Sequence, residues 1–437
     1  MEIQNSADSA PVDDRALMRK VSLRFMPLIM ICYFFAFFDR INVGFAKAAL
    51  QTDLGLSNTA YGLGASLFVI GYVIFEVPSN MILFKVGARR WIARIMFSWG
   101  LATIGMMFVT ETWHFYALRF IIGSMEAGFA PGILYFYTIW YPAQIRGRIT
   151  SAMFVASAFS SIVGAPIAGL IMEHANGILG LSGWRWMFVF GGAPCLVLAA
   201  VVWNRLDDRI SDAKWLDDGE KARLTSAVGN VPAGLPHSLL GALRSPGLLL
   251  LALIYFMIQV ASYGLNFWGP DLIRTAFGAI GDTKIGLLTA TPFICGAICM
   301  VLLGRQADKT GHRVPYVIAC LLIGAAGFAG AGAFSHSPLP LMISIAAIGT
   351  GVVASIPMFW TLPARLLVGA GAAGGIALIS TLGQMGGIVS PIMIGRVKDL
   401  TGSATPALYL ISGVCVAAAL ILAFLSPIQL RAKDHGR

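Results

Sequence analysis

Five charged residues stand inside otherwise apolar runs of this sequence: Asp39, Arg40, Glu76, Arg119 and Glu126. A charge deep in a membrane-like run is costly, so each is a functional candidate. Arginine presents a carboxylate with a planar fork of two parallel hydrogen bonds and stays charged at any working pH. Arg40 and Arg119 together would offset the desolvation of a mono- or dicarboxylate and repel a cation in a poorly screened cavity. A carboxyl that is both buried and beside an arginine can bind a proton in one arrangement and release it in another. Asp39 and Glu126 are the two best placed for that work, because the six histidines (His114, His174, His237, His312, His336 and His435) all read as loop or helix-end residues. Arg119 and Glu126 are seven residues apart, nearly two helical turns, on a stripe with Phe115, Gly123 and Ala130. Other readings stay open. Arg119 could neutralise Asp39 or Glu126 across the bundle, or gate an outer mouth, and Asp39 could join helices by hydrogen bonds. Glu76 precedes Pro78, Ser79 and Asn80 and a basic turn, which predicts a gating or structural salt bridge with a loop arginine.

The elements that hold these residues follow from composition. The chain has 437 residues, 57% hydrophobic and only 12% charged, too few charges to cover a soluble protein of this length. A membrane span takes about 20 apolar residues. That ruler predicts an all-α membrane protein with twelve transmembrane helices, over 25–46, 59–84, 92–110, 114–140, 149–172, 184–204, 247–269, 283–303, 314–333, 339–363, 371–394 and 404–426. A polar N-terminal segment (1–24), with no cleavable leader pattern, precedes an N-terminal six-helix bundle (25–204). A polar central loop (205–246) carrying Asp207, Asp208, Asp217, Asp218, Glu220, Lys221 and Arg223 leads to a second bundle (247–426) and a tail (427–437). With the N-terminus inside, most of the 31 lysines and arginines fall on the inner side, whereas Lys47, Arg274, Lys284, Arg396 and Lys398 fall in outer loops. Both termini are therefore expected in the cytoplasm. The net charge of +10 reads as that inner face and not as a nucleic-acid surface. Six cysteines lie in apolar stretches with no disulfide or zinc spacing, and no metal cluster, phosphate loop or nucleophile motif points to an enzyme or a cofactor.

The halves repeat. Lys85, Gly87, Arg89 and Arg90 follow the second span, and Gly304, Asp308, Gly311 and Arg313 follow the eighth, at equivalent places in two pseudo-symmetric six-helix bundles. Such repeats place a substrate site near the midplane between halves. The Gly304–Arg313 pattern resembles the loop signature of the major facilitator superfamily. A longer set is more specific: Asp39, Arg40 and Asn42; Glu76, Pro78, Ser79 and Asn80; Arg119, Gly123, Glu126, Gly128, Pro131 and Gly132; Trp140, Pro142, Arg146 and Arg148; Trp184, Arg185 and Trp186; Tyr263, Gly264, Asn266 and Trp268; Trp360 and Pro363. It resembles the anion:cation symporter family, which includes bacterial tartrate, phthalate and sugar-acid permeases.

The resemblance implies the major facilitator fold, a bacterial inner-membrane location and substrate contact by Arg40, Arg119 and Tyr72. It assigns proton coupling to Asp39 and Glu126. Asn266, Trp268, Trp360, Ser380 and Gln384 are candidate contacts from the C-terminal half, while Glu76, Arg89, Asp308 and Arg313 are expected to gate or brace. Phe37 and Phe38 stand where some sugar-acid carriers have a tyrosine, which leaves room for an aromatic or less hydroxylated acid. The expected activity is import of a small organic anion with protons by alternating access, by a monomer needing no cofactor beyond the coupling proton. The alternative is an anion exchanger or an efflux antiporter of organic acids or drugs.

Overall fold

A backbone inside lipid must satisfy its own hydrogen bonds, which leaves the helix as the solution for apolar runs of this length. The structure is a computed structural model that describes residues 15–229, 246–366 and 372–430. It contains twelve helical stretches long and apolar enough to cross a membrane, and no strand among the described residues. The first three spans are α1 (Arg15–Leu54), α2 (Asn58–Val86) and α3 (Ala88–Gly105). The fourth is split into α4 (Thr112–Glu126) and α5 (Phe129–Trp140), and α6 (Ala143–His174) and α7 (Gly183–Arg205) complete the first half. After a short helix α8 (Asp218–Val228) come α9 (Pro246–Phe277), α10 (Asp282–Thr310) and α11 (Val314–Ala333). The tenth span is α12 (Pro338–Ile348) and α13 (Ala354–Leu366) around a π turn at Gly349–Val353. The eleventh is α14 (Ala372–Gln384) and α15 (Gly386–Thr401), and the twelfth is α16 (Thr405–Leu430).

The two halves pack alike. Spans one and five, two and four, and three and six pair in the first half; seven and eleven, eight and ten, and nine and twelve pair in the second. Between halves, α2 meets α15 and α6 meets α10, two interfaces that exchange under the same pseudo-twofold. Glycines set the approach. A Cβ on Gly62 would lie 2.3 Å from the Pro391 carbonyl oxygen, and one on Gly169 would lie 2.3 Å from that of Asp282. Only a residue without a side chain allows helices this close.

These interfaces close one end of the molecule, the end away from the basic turns at Lys85–Arg90 and Arg305–Arg313. There Asp399 accepts from the backbone N–H and side chain of both Asn58 and Thr59, at 2.6–3.0 Å. Glu173 accepts from the Thr283 N–H at 2.8 Å, and Lys47 pairs with Asp271 at 2.8 Å. The five basic residues expected in outer loops lie instead in helices: Lys47 in α1, Arg274 in α9, Lys284 in α10, Arg396 and Lys398 in α15. The helices outrun their apolar cores, since α1 has 40 residues where about 20 would span. Three of these cations find carboxylates on neighbouring helices, Lys47 and Lys398 on Asp271 and Arg274 on Asp282.

At the opposite end the described part of the central loop, through Gly229, is built onto the first bundle. Its helix α8 starts with a capping box, Asp217 accepting from the Glu220 N–H and Glu220 from the Asp217 N–H. Trp215 stacks on Trp140 with centroids 5.7 Å apart and donates to Asp207 at 2.8 Å, while Arg24 lies over the Trp215 ring. Lys20 donates to both Glu220 carboxylate oxygens, and these bonds hold that carboxyl below the usual range. Leu216 and Leu224 are buried in the bundle's core. Arg89, at the start of α3, gives its backbone N–H to Asp208 at 2.8 Å, and its guanidinium faces Trp203. The sequence marks this stretch as polar; its one indole, Trp215, together with the buried Leu216 and Leu224, turns it into a bracket.

Candidate substrate site

The break in the fourth span explains how Glu126 is presented. In an unbroken helix the Ala127 carbonyl would bond the N–H of residue 131, but Pro131 has none and its ring would strike that carbonyl. The chain leaves helical geometry at Ala127 (ψ 131°) and turns through left-handed Gly128 (φ 88°). Ser79 of α2 replaces the missing donor, bonding the Ala127 oxygen at 2.6 Å. Glu126 is thus the last residue of α4, at an open helix end between α1 and α2. The predicted stripe stops here: Ala130 follows the turn, in α5, and no longer shares a face with Arg119 and Glu126.

The four charges pair crosswise between α1 and α4. Arg40 Nη2 bonds Glu126 Oε1 at 2.7 Å, with the arginine side chain 20% exposed and the glutamate 2%. Arg119 and Asp39 are wholly buried, Arg119 Nη1 lying 4.0 Å from Asp39 Oδ2 while Thr103 donates to Asp39 Oδ1 at 3.1 Å. One ring serves both cations: the Phe68 centroid is 5.5 Å from the Arg40 guanidinium carbon and 4.7 Å from that of Arg119. Phe37 and Tyr72 complete an aromatic collar around Arg40, at 5.0 and 5.7 Å. The set carries two positive and two negative charges. Several of its polar atoms lack a hydrogen-bond partner among the described residues, namely Glu126 Oε2, Asp39 Oδ2 and all three Arg119 nitrogens. Breaking a buried pair by removing one partner is strongly destabilising, so these groups hold one another in place.

The facing wall is neutral. Gln384, the last residue of α14, accepts from Tyr263 Oη at 2.9 Å and from Gln259 Nε2 at 3.2 Å. Gln259 and Tyr263 were not singled out as contacts from sequence; their signal is the spacing Gln259, Tyr263, Asn266, one face of α9 at four and three residues. Asn266 itself turns to its own helix, donating to the Ser262 carbonyl at 2.8 Å. Trp360 packs edge-on against Tyr255 at 4.9 Å, and Ser380 is half-buried in α14. Trp268 is wholly buried at the closed end, against Tyr61 and Lys47, and not at this wall.

The expected braces are mixed. Glu76 is half-buried and makes no ion pair among the described residues, so the loop-arginine bridge is absent in this conformation. Arg313 immediately precedes α11, and the side chain of Asp308 lies outside the described residues.

Two six-helix bundles that enclose buried charge at their shared boundary define a membrane transporter. The chain belongs to the Major Facilitator Superfamily, whose sequence profile matches residues 29–279 and 251–436. A protein of Agrobacterium vitis called "Putative tartrate transporter" is 42% identical over 413 residues, 94% of each chain. The metabolite transport protein NicT of Pseudomonas putida, also named as putative, is 40% identical over 95% of each chain. A quinolone resistance transporter of Acinetobacter baumannii is 38% identical over 91% of this chain and 92% of its own. Among solved structures, a D-xylose–proton symporter superposes with a TM-score of 0.76 over 92% of this chain and 97% of its own, at 15% identity. The protein is a multi-pass membrane transporter and not an enzyme.

Proposed function

We propose that this protein imports a small organic anion, of the tartrate or aromatic-acid class, together with protons. The observation that carries the reading is the Arg40–Glu126 pair, 2.7 Å long, whose arginine is the partly exposed member of the buried charge cluster. While Glu126 is ionised it occupies the guanidinium, and the cluster as a whole is neutral. A proton on Glu126 frees the fork of Arg40 and leaves the cluster one charge positive, which suits a carboxylate. Proton and anion then bind as a unit, and neither the bare cation nor the bare anion crosses cheaply. Arg119 acts behind this exchange: wholly buried beside Asp39, it keeps the second carboxylate in place and does not meet cargo in this conformation. Gln384 and Tyr263 close the site from the other bundle with neutral hydrogen bonds.

On this reading the basic turns and the bracketed central loop face the cytoplasm of a bacterium, with both termini inside and the sealed end outside, an orientation supported by the bias of lysine and arginine toward that face. This reading makes the conformation inward-facing. The chain works as a monomer and takes no cofactor besides the coupling proton. A second reading is supported by the quinolone resistance relative and by the aromatic collar of Phe37, Phe68 and Tyr72: export of an aromatic carboxylate against proton entry. Uptake of labelled tartrate, phthalate and benzoate into proteoliposomes with an alkaline interior separates the two. Accumulation driven by the gradient, with alkalinisation of the medium in unbuffered vesicles, is expected for import. Accumulation only when the gradient is reversed would establish export, and transport with no proton movement would remove the coupling.

A further inference from the structure

The seal at the closed end holds more positive charge than sealing requires. Lys47 of α1 is wholly buried, with Nζ 2.8 Å from Asp271 Oδ2 across the bundle boundary. Lys398 of α15 donates to the same oxygen at 2.8 Å, from Asp271's own bundle. Both ammonium groups face the Trp268 ring, Lys47 at 3.8 Å and Lys398 at 5.6 Å from its centroid. A latch needs one cation and one anion, yet here two cations share one carboxylate. When the bundles part at this end, Asp271 keeps Lys398 and stays neutralised. Lys47 is the group left without a counter-ion.

Its position gives that free charge a use. Lys47 follows Arg40 by seven residues in α1, nearly two turns, so both cations stand on one face of the helix about 10 Å apart. An anion entering from this end, once the bundles have parted there, would meet Lys47 first and Arg40 two turns deeper. We infer that Lys47 is a second anion-binding residue, an outer capture site for the substrate carboxylate, and that Asp271 competes with the substrate for it. The substrate displaces nothing while the end is closed; once the anion moves on to Arg40, Asp271 retakes Lys47 and the end reseals. This rests on the import reading above and on that reading's orientation.

A pair of variants decides it, because Lys47→Gln and Asp271→Asn break the same ion pair. A purely structural latch would make them alike. Capture makes them opposite: for labelled tartrate entering right-side-out proteoliposomes, Lys47→Gln raises KM about tenfold and steepens no salt dependence, while Asp271→Asn lowers KM and Lys47→Arg stays near wild type. The KM for efflux from the inner side is unchanged in all three. Outer-side reaction of Ser66→Cys with an impermeant maleimide, Ser66 being wholly buried beneath the seal, rises in both broken-pair backgrounds and shows that each loosens the seal, while the unchanged efflux KM verifies that each folds. Equal KM changes in Lys47→Gln and Asp271→Asn, or a Lys47→Gln KM that does not move, would overturn the capture role. If wild type carries no tartrate, this proposal falls together with tartrate import; if wild type carries it, Arg40→Ala abolishes it and Lys47→Gln leaves its KM unchanged, this proposal alone falls.

Discussion

The two walls of the site are built from different chemistry on matching frameworks. The N-terminal wall concentrates Asp39, Arg40, Arg119 and Glu126 on α1 and α4, whereas the C-terminal wall offers Gln259, Tyr263 and Gln384 with no charge. Pseudo-symmetry fixes where helices go but not what they carry. Dividing the work this way has a physical advantage. A titrating cluster needs its counter-charges held at constant distance, which one rigid bundle provides, while neutral partners can approach and retreat without a large electrostatic cost. On the proposed function, the charged bundle sets what is bound and with how many protons, and the neutral bundle registers that something is there.

That division predicts a graded set of failures. Removing the exposed cation should be the most severe: Arg40→Ala is expected to lower anion uptake by 100-fold or more, and Arg40→Lys to recover only part of it because a point charge cannot replace the fork. Initial rates together with ligand-induced thermal stabilisation measure this. Intact binding in Arg40→Ala would move the anion site elsewhere. Glu126→Gln imitates the protonated state, so it should lose accumulation driven by a pH gradient yet keep exchange of internal for external anion. Loss of both would mean that Glu126 holds structure and not the proton. On the neutral wall, Gln384→Ala should raise KM about tenfold and leave the ratio of protons to anions unchanged. A changed ratio would break the proposed division outright. The smallest effect is expected at Ser79→Ala, which leaves the Ala127 carbonyl without its donor and should cost about 1 kcal/mol of stability by thermal or denaturant unfolding.

Legibility from sequence followed energetic cost. Twelve spans, two halves and four of the buried charges could be read directly, because apolar length and intramembrane charge leave few alternatives. The crosswise pairing, Arg40 with Glu126 and Arg119 with Asp39, could not, since it depends on the rotation of α1 against α4. Neutral residues gave weaker signals. Asn266 was a candidate contact and satisfies itself on the Ser262 carbonyl, as polar side chains in helices commonly do. Tyr263, one turn earlier, is the residue that reaches Gln384. Lys47 was hidden for another reason: a lysine near the end of an apolar run counts as a loop cation in any topology tally, and only the packing of α9 against α1 shows it buried. The kink at Ala127 had a readable cause in Gly128 and Pro131, which an apolar window averages away.

The bracket formed by Trp215, Trp140 and the Lys20–Glu220 pair bears on how the chain is divided. Because α8 is fastened to the first bundle, the contacts of that bundle reach as far as Val228, and the chain between there and Pro246 joins the two halves. The gene could therefore be cut in that stretch and expressed as two polypeptides that reassemble in the membrane. A cut before α8 would strip the first bundle of a helix it has already paid to order, and the fragments should fail to find each other.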